Sequence, residues 1–160
     1  DEAAQRNVIV VCSGAKSIMD LPLTMEYLET KAVSVVGYQT DELPAYMAIS
    51  SGIKLPCRME AVEEVANAYR IKNDLDIRSG MLLMNPISEE YAVDADEMNA
   101  AIDEAIERSI VDKVSGKAIT GYLMKYVKEK MGADSLDAQK NMIIENAILA
   151  AKLSAELCLC

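Results

Sequence analysis

Residues 7–17 read Asn-Val-Ile-Val-Val-Cys-Ser-Gly-Ala-Lys-Ser. The run Val8–Cys12 is apolar and rich in β-branched residues, which is typical of a buried strand. Ser13-Gly14 follows, and these residue types allow the chain to turn sharply. Lys16 therefore comes just past the carboxyl end of a strand, at the edge where open α/β sheets bind ligands. From these residues alone, Lys16 is a nucleophile, a phosphate contact or a surface charge.

The rest of the chain alternates short apolar runs with amphipathic stretches, which indicates an α/β fold. The expected strands are Val8–Cys12, Val33–Tyr38, Ile53–Met59 and Met81–Met84. The expected helices are Ser17–Thr30, Glu60–Ile77, Asp94–Ile110, Ile119–Met131 and Ser135–Leu157, with Ser135 as an N-cap. We expect a single domain, 1–160, with a partial mixed sheet of about four strands covered by helices and a helix-rich C-terminal portion.

Composition and charge narrow the class of protein. An apolar content of 51% suffices for a core, and the net charge of −10 argues against nucleic acid or an anionic membrane as partner. A phosphorylated small molecule is still compatible, because helix N-termini and local donors can bind it. No apolar run approaches a membrane span, and the polar start, Asp1–Arg6, is unlike a signal peptide. The four cysteines lack paired spacing, so we expect free thiols in a cytoplasmic protein.

The residue types also limit the chemistry. The chain has no histidine, which excludes Ser-His-Asp, Cys-His and His-zinc sites built from these residues alone. Asp41-Glu42 form a carboxylate pair on a loop after the second strand. They are acid/base groups at a pocket rim or charges at a helix N-terminus. Asn85 ends the strand Met81–Met84, where it contacts a ligand or closes a turn.

Several stretches, in order along the chain, carry a family resemblance. They are Cys12–Ile18, Thr24–Thr30, Gly37–Ala45, Asn85–Ile87, and Ser135-Leu136 followed by Asn146-Ala147. Together they resemble the second half of the pseudouridine-5'-phosphate glycosidase (indigoidine-synthase-A-like) family. The resemblance implies reversible cleavage of the C–C glycosidic bond of pseudouridine 5'-phosphate to uracil and ribose 5-phosphate. Lys16, in C-x-G-x-K-S, would attack the anomeric carbon and form a Schiff base with the ring-opened ribose.

The resemblance also implies groups that this chain does not contain. In the family, the Glu that donates a proton, a second lysine and the Asp that binds Mn²⁺ all precede the strand leading to Lys16. We align neither Asp1 nor Glu2 with that metal ligand, so we expect Mn²⁺ to be held upstream, with no metal ligand here. Because the chain starts without Met and family members are about twice as long, we expect an expressed fragment, a cleaved product or an internal piece. The resemblance implies a homotrimer, or a complementary N-terminal half as partner.

Departures from the family pattern concern the substrate site. Gln139 stands where the family has an active-site Asn, and its additional methylene displaces the amide by about 1 Å, which can cost roughly 10²-fold in rate. Gln139 and Asn85 are the expected substrate-binding residues. Glu145 replaces a usual Asn. These changes leave open a truncated or diverged inactive relative that acts as a binding or assembly module, and the lysine alone would also suit an aldolase-type sugar-phosphate lyase.

Overall fold

The computed structural model describes residues 1–16 and 18–159, except for the side chains of residues 133–135. The helices are α1 Glu2–Gln5, α2 Leu21–Thr30, α3 Val62–Asp74, α4 Ala95–Val111, α5 Ala118–Met131 and α6 Ala133–Leu157. The strands are β1 Ile9–Cys12, β2 Ser34–Tyr38, β3 Arg58–Met59 and β4 Met81–Met84. Ser17, the expected start of the helix after Lys16, lies outside the described residues. Asp20 caps α2 by accepting a hydrogen bond from the Leu23 amide at 3.0 Å.

The four strands of the described chain form one sheet in the order β1-β4-β2-β3, and every neighbouring pair is parallel. The α/β class and the strand number are confirmed, but the expectation of a mixed sheet is wrong. Because all the strands are parallel, each connection returns the chain to the end of the sheet where the strands begin. α2 makes this connection between β1 and β2, and α3 makes it between β3 and β4. The carboxyl ends of all four strands therefore point the same way. The single-domain organisation stays a prediction.

β3 is shorter than the predicted strand Ile53–Met59. Pro56 cannot donate a backbone hydrogen bond, and the preceding residues join a loop through an antiparallel bridge between Glu42 and Lys54. The same loop, residues 39–57, includes Asp41–Tyr46, a segment whose sequence is compatible with a turn or a short helix interrupted by Pro44; the structure has no helix there. It lies over the carboxyl ends of the strands, where it contacts the turn after β1 through a bridge between Gly14 and Ala45.

The core lies on both faces of the sheet. Alternate strand residues pack towards α3 and α6, in a cluster formed by Val36, Val65, Ala66, Met81, Leu83, Leu149 and Leu153. The opposite face carries Val35, Leu43 and Met84, against which α2 packs. A separate cluster, which includes Met47, Ile87, Met98, Val127 and Met142, joins the loop 39–57 to α4, α5 and α6. The helix-rich C-terminal portion is thereby fixed beside the carboxyl ends of the strands.

Two expectations about element positions are corrected. β1 is an edge strand with Val10 42% exposed, so it is not the buried strand that its apolar run predicts. The edge position itself is what we expect of the first strand in a chain that matches only the second half of its family, since such a strand would expose an edge. α6 begins at Ala133, directly after Gly132 at φ 68°, two residues before the predicted N-cap Ser135, whose side chain lies outside the described ones. Along the described chain, no helix combines the length and apolar character needed to cross a membrane.

Candidate active site at the carboxyl ends of β1 and β4

The turn that carries Lys16 fits closely against the loop 39–57. Gly14 has φ 80°, and a Cβ atom built on it would lie 1.8 Å from the carbonyl oxygen of Pro44. Only glycine both adopts this φ without strain and leaves room for the Pro44 carbonyl, because it has no Cβ. The Tyr46 amide also donates to the Ser13 carbonyl at 2.9 Å. These contacts hold the chain two residues before Lys16 in one position.

Lys16 is half-buried and lies against an aromatic ring. Its Nζ is 5.8 Å from the centroid of the Tyr46 ring, within the range of a cation–π contact. Tyr46 has φ 62°, a left-handed conformation that is unfavourable for a bulky residue. Burial raises the pKa of the Tyr46 phenol, so the ring stays neutral around neutral pH. A neutral π face next to Lys16 stabilises positive charge on its nitrogen.

A chain of amide hydrogen bonds joins the carboxyl ends of β1 and β4 to the middle of α6. Asn146 Nδ2 donates to Ser13 Oγ at 3.0 Å, and Asn85 Nδ2 donates to Asn146 Oδ1 at 3.0 Å. Ser13 is only 3% exposed, and the Asn85 amide donates to the Cys12 carbonyl at 2.8 Å. The side chain of Asn85 is therefore bound within the protein, at the edge of the sheet that carries Lys16. Its predicted contact with substrate stays a prediction.

Gln139 approaches the same region from α6. It is half-buried, and its Nε2 donates to the Met47 thioether at 3.8 Å. Met47 follows Tyr46, so Lys16 and Gln139 contact neighbouring residues of one loop. A thioether is a weak acceptor, which leaves the Gln139 amide easy to redirect towards a ligand. Of the three predicted site residues, Lys16 and Gln139 both contact this loop. Asn85 is connected to the Lys16 turn through Asn146.

The carboxylates of Asp41 and Glu42 accept hydrogen bonds that stabilise the loop 39–57. Asp41 Oδ2 accepts from Arg58 Nη1 at 2.7 Å, and the Glu42 carboxylate accepts from the Ser50 hydroxyl. These partners favour a structural role over acid/base chemistry, and there is no helix here for the pair to begin. Glu145, beside Asn146, accepts a hydrogen bond from the Ser88 amide at 3.2 Å. This is a second hydrogen bond between α6 and the segment after β4, in addition to the one between Asn85 and Asn146.

The described residues do not form a metal site of their own. Within residues 1–16 and 18–159, no group of three or more Cys, Asp or Glu side chains is placed to hold a metal ion. Cys12, Cys57 and Cys158 are free thiols, and Cys160 lies outside the described residues. Burial raises the pKa of the Cys12 thiol, so this residue beside the site stays protonated at neutral pH.

This arrangement falls within residues 1–156, which match the family model described as Indigoidine synthase A like protein. The chain belongs to this family. It is 43% identical, over 96% of its length, to pseudouridine-5'-phosphate glycosidase 2 of Photorhabdus laumondii, and 41% identical, over 97%, to pseudouridine-5'-phosphate glycosidase of Petrotoga mobilis. It covers 49% and 51% of those proteins. The chain thus spans about half the length of these relatives and corresponds to their C-terminal half, as the resemblance predicts.

Two solved structures have the same fold. The prealnumycin C-glycosynthase AlnA, crystallised in complex with ribulose 5-phosphate, matches with a TM-score of 0.92 and 34% identity. The indigoidine synthase A-like protein of Thermotoga maritima matches with a TM-score of 0.86 and 31% identity. Each match covers 98% of this chain and 51% of the other. The expected α/β fold is therefore that of the indigoidine synthase A-like family.

Sequence reasoning misses three residues of this family member's candidate site. Ser13 and Asn146 lie inside the stretches that carry the resemblance, but nothing in their spacing shows that they contact each other across 133 positions. Tyr46 lies one residue past a matching stretch, and its left-handed backbone has no sequence signal because tyrosine seldom adopts it. The sequence signal that could have identified Ser13 is its position directly after an apolar strand, because ligands bind at the carboxyl ends of parallel strands. The same signal identified Asn85.

Proposed function

We propose that this chain carries the nucleophile, Lys16, of an enzyme that cleaves or forms a C-glycosidic bond, with pseudouridine 5'-phosphate as substrate and uracil and ribose 5-phosphate as products of cleavage. The observation that carries the proposal is the position of Lys16, just beyond the carboxyl end of the parallel strand β1 and against the Tyr46 ring. The names of the relatives support the substrate. The sugar phosphate bound to the C-glycosynthase supports a phosphorylated pentose.

The proposed reaction proceeds through a Schiff base. The neutral Lys16 amine adds to C1' of the ribose while the bond from C1' to the ring oxygen breaks. The new secondary ammonium then passes a proton to that oxygen, which leaves an open-chain hydroxyl and a neutral nitrogen that has its lone pair again. The nitrogen lone pair then expels uracil, whose carbon takes a proton from an acid, and a C=N⁺ bond forms between C1' and Lys16. Water hydrolyses this iminium to ribose 5-phosphate and regenerates the amine. The reverse sequence forms the C-glycoside.

The residues around Lys16 suit these steps. The Tyr46 ring stabilises the cationic iminium by about 0.5–2 kcal/mol, depending on how far water is excluded. The hydrogen bonds from Asn85 through Asn146 to Ser13 fix the turn that aims the lysine. Gln139 is the residue of α6 available to bind a polar group of the substrate, since its present acceptor is a thioether.

The remaining parts of the proposal concern the whole protein. The acid that protonates uracil, and the ligand for Mn²⁺, would come from residues outside 1–160, and no step here depends on the metal. We also propose a homotrimer or an assembly with a complementary half, in the cytoplasm. Because the chain spans half of its relatives, catalysis is expected from the assembled protein, meaning this chain joined to the half of the Petrotoga mobilis relative that it does not match.

Turnover by the assembled protein tests the proposal. Uracil release from pseudouridine 5'-phosphate is measured for the unaltered protein, for Lys16→Ala and for the control Lys117→Ala on an exposed residue. We expect Lys16→Ala to lose at least about 10³-fold in kcat, because no other group replaces a covalent nucleophile, while the control is unchanged. A Lys16→Ala protein that keeps more than a small fraction of the rate would refute the assigned role.

A second candidate function rests on Gln139. Its side chain is one methylene longer than that of the family Asn, which displaces the amide by about 1 Å from the position that the resemblance implies for a substrate contact. This observation favours a diverged binding or assembly module without catalysis. In that case the assembled protein would form but release no uracil, and Gln139→Asn would restore measurable turnover.

A further inference from the structure

A large apolar cavity lies where β2 runs past the start of β3, between α2 and α3. Its volume is about 950 Å³, at the upper end of the range for small-molecule sites. α2 contributes Met25, α3 contributes Ile71 and Leu75, and the sheet contributes Val35 of β2 and Met81 of β4. None of the predicted site residues lines the cavity, and β4 separates β2 from β1. The chemistry at Lys16 therefore does not explain it.

The edge of β2 in this cavity has a main-chain donor and acceptor without a partner. The Ser34 amide donates to the Gly80 carbonyl at 3.3 Å, so Ser34 faces β4 and Val35 directs its amide and carbonyl the other way. β3 pairs with β2 only from Gly37 onwards, and among the described residues no backbone hydrogen bond reaches Val35 from that side. Val35 is only 6% exposed, and buried main-chain groups are almost always paired. A molecule in the cavity would complete both hydrogen bonds.

The unpaired part of this edge is too short for a further strand. Gly37, the next residue that faces the same way as Val35, already donates to the Cys57 carbonyl at 2.9 Å. A strand that joins a sheet needs a row of free amides and carbonyls, whereas a small molecule needs one pair. α2 and α3 pack on opposite faces of the sheet, so the space between them at this edge is a slot that suits a flat molecule.

The cavity offers no free charge to a ligand. The charged residues of its lining are Glu26, Glu29, Lys54 and Lys72. The first three are exposed to solvent, whereas Lys72 is buried and donates to the Ile77 carbonyl at 2.6 Å and to Asn7 Oδ1 at 3.2 Å. A phosphate or carboxylate would lose its hydration in this lining without gaining a cation as partner. The lining therefore favours an uncharged ligand.

We infer that this cavity binds a neutral planar heterocycle that has a hydrogen-bond acceptor beside an N–H, the edge by which nucleobases and lactams pair. The ring acceptor takes the hydrogen bond of the Val35 amide, and the ring N–H donates to the Val35 carbonyl. The apolar side chains of α2 and α3 cover the two faces of the ring. The inference does not depend on the chemistry at Lys16 and is tested without turnover, so either can fail alone.

Titration with 7-azaindole, a neutral heterocycle with a ring nitrogen beside its N–H, tests the site by NMR. The protein is this chain joined to the half of the Petrotoga mobilis relative that it does not match, with isotope-labelled valine, and the Val35 amide is assigned by its loss in Val35→Ile. We expect a saturable shift of the Val35 amide with a Kd of about 1 mM or below. 1-Methyl-7-azaindole, which has no N–H, should bind at least about tenfold more weakly. No shift at Val35, or equal affinity of the two compounds, would overturn the inference.

A larger side chain at the opening of the cavity shows where 7-azaindole binds. Ile71 lines the cavity and is 59% exposed, so Ile71→Trp adds a ring there without changing the core. The control is Ile110→Trp, at a 72% exposed position of α4. We expect Ile71→Trp to weaken binding at least about tenfold and Ile110→Trp to leave it unchanged. Equal affinities would overturn the inference. So would an affinity that falls as the protein concentration rises, because the occupant of the cavity would then be a second copy.

Discussion

At the scale of single residues, Gly14 determines how closely the Lys16 turn approaches the loop 39–57. Its left-handed backbone and the Pro44 carbonyl oxygen, which occupies the place of a Cβ, leave no room for another residue. Tyr46, on the other side of the contact, accepts the same backbone conformation in spite of its bulk. Glycine adopts this conformation readily, whereas Tyr46 is strained in it, so the contact is held by the surrounding structure at a cost on the Tyr46 side.

Substitution of Gly14 measures how much this contact contributes. We expect Gly14→Ala to lower the free energy of unfolding by about 2–5 kcal/mol, the sum of left-handed strain and a clash with the backbone. The matched control is Gly52→Ala, at φ 75° with no atom within 4 Å of the added Cβ, for which about 1 kcal/mol is expected. Urea unfolding gives both values. Equal losses would show that the approach to Pro44 does not matter.

At the scale of secondary-structure elements, α6 links the sheet to the site. It spans Ala133–Leu157, packs Leu149 and Leu153 on the sheet, and places Asn146 and Gln139 near the carboxyl ends of β1 and β4. One long helix therefore sets both the amide network and the predicted substrate contact. A change at its centre should affect stability and the position of Lys16 together.

Asn146→Leu tests that link. The substitution leaves the buried Ser13 hydroxyl and the Asn85 amide without their partner, so we expect a loss of about 1–3 kcal/mol in the free energy of unfolding. The same change at Asn141, whose side chain bonds an exposed backbone carbonyl of α6, should cost less than about 0.5 kcal/mol. Urea denaturation compares the two variants. An Asn146→Leu protein as stable as the Asn141→Leu protein would show that the network does not hold the turn.

At the scale of the whole molecule, the sequence predicts which segments form strands and helices better than it predicts which strands pair and in which direction. β4, Met81–Met84, is found as predicted, because a continuous apolar run bounded by Asn85-Pro86 has one strong interpretation. The mixed sheet and the length of β3 are wrong, since strand direction and the pairing of residues 53–57 depend on contacts distant in sequence. The burial of β1 is wrong for a related reason: an apolar pattern reports that a strand suits two neighbours, not that this chain supplies both.

The same distinction applies to the candidate site. Lys16 and Asn85 were predicted because residues at strand ends converge in a parallel sheet. Gln139 was predicted from the family resemblance. The amide network and the ring of Tyr46 could not be predicted, because each joins residues through side-chain geometry that leaves no periodic pattern in the sequence. Family membership, now established over residues 1–156, supports the chemistry but does not replace a test of Lys16.

The most direct test is to trap the Schiff base. The assembled protein is mixed with ribose 5-phosphate, reduced with borohydride, digested and mapped by mass spectrometry, beside a Lys16→Arg variant. The proposed mechanism predicts a reduced sugar-phosphate adduct on Lys16 that disappears in the variant, because only a neutral amine on this residue can form the imine. A protein that releases uracil and yields adducts only on other lysines, or none, would contradict the central claim that Lys16 is the nucleophile.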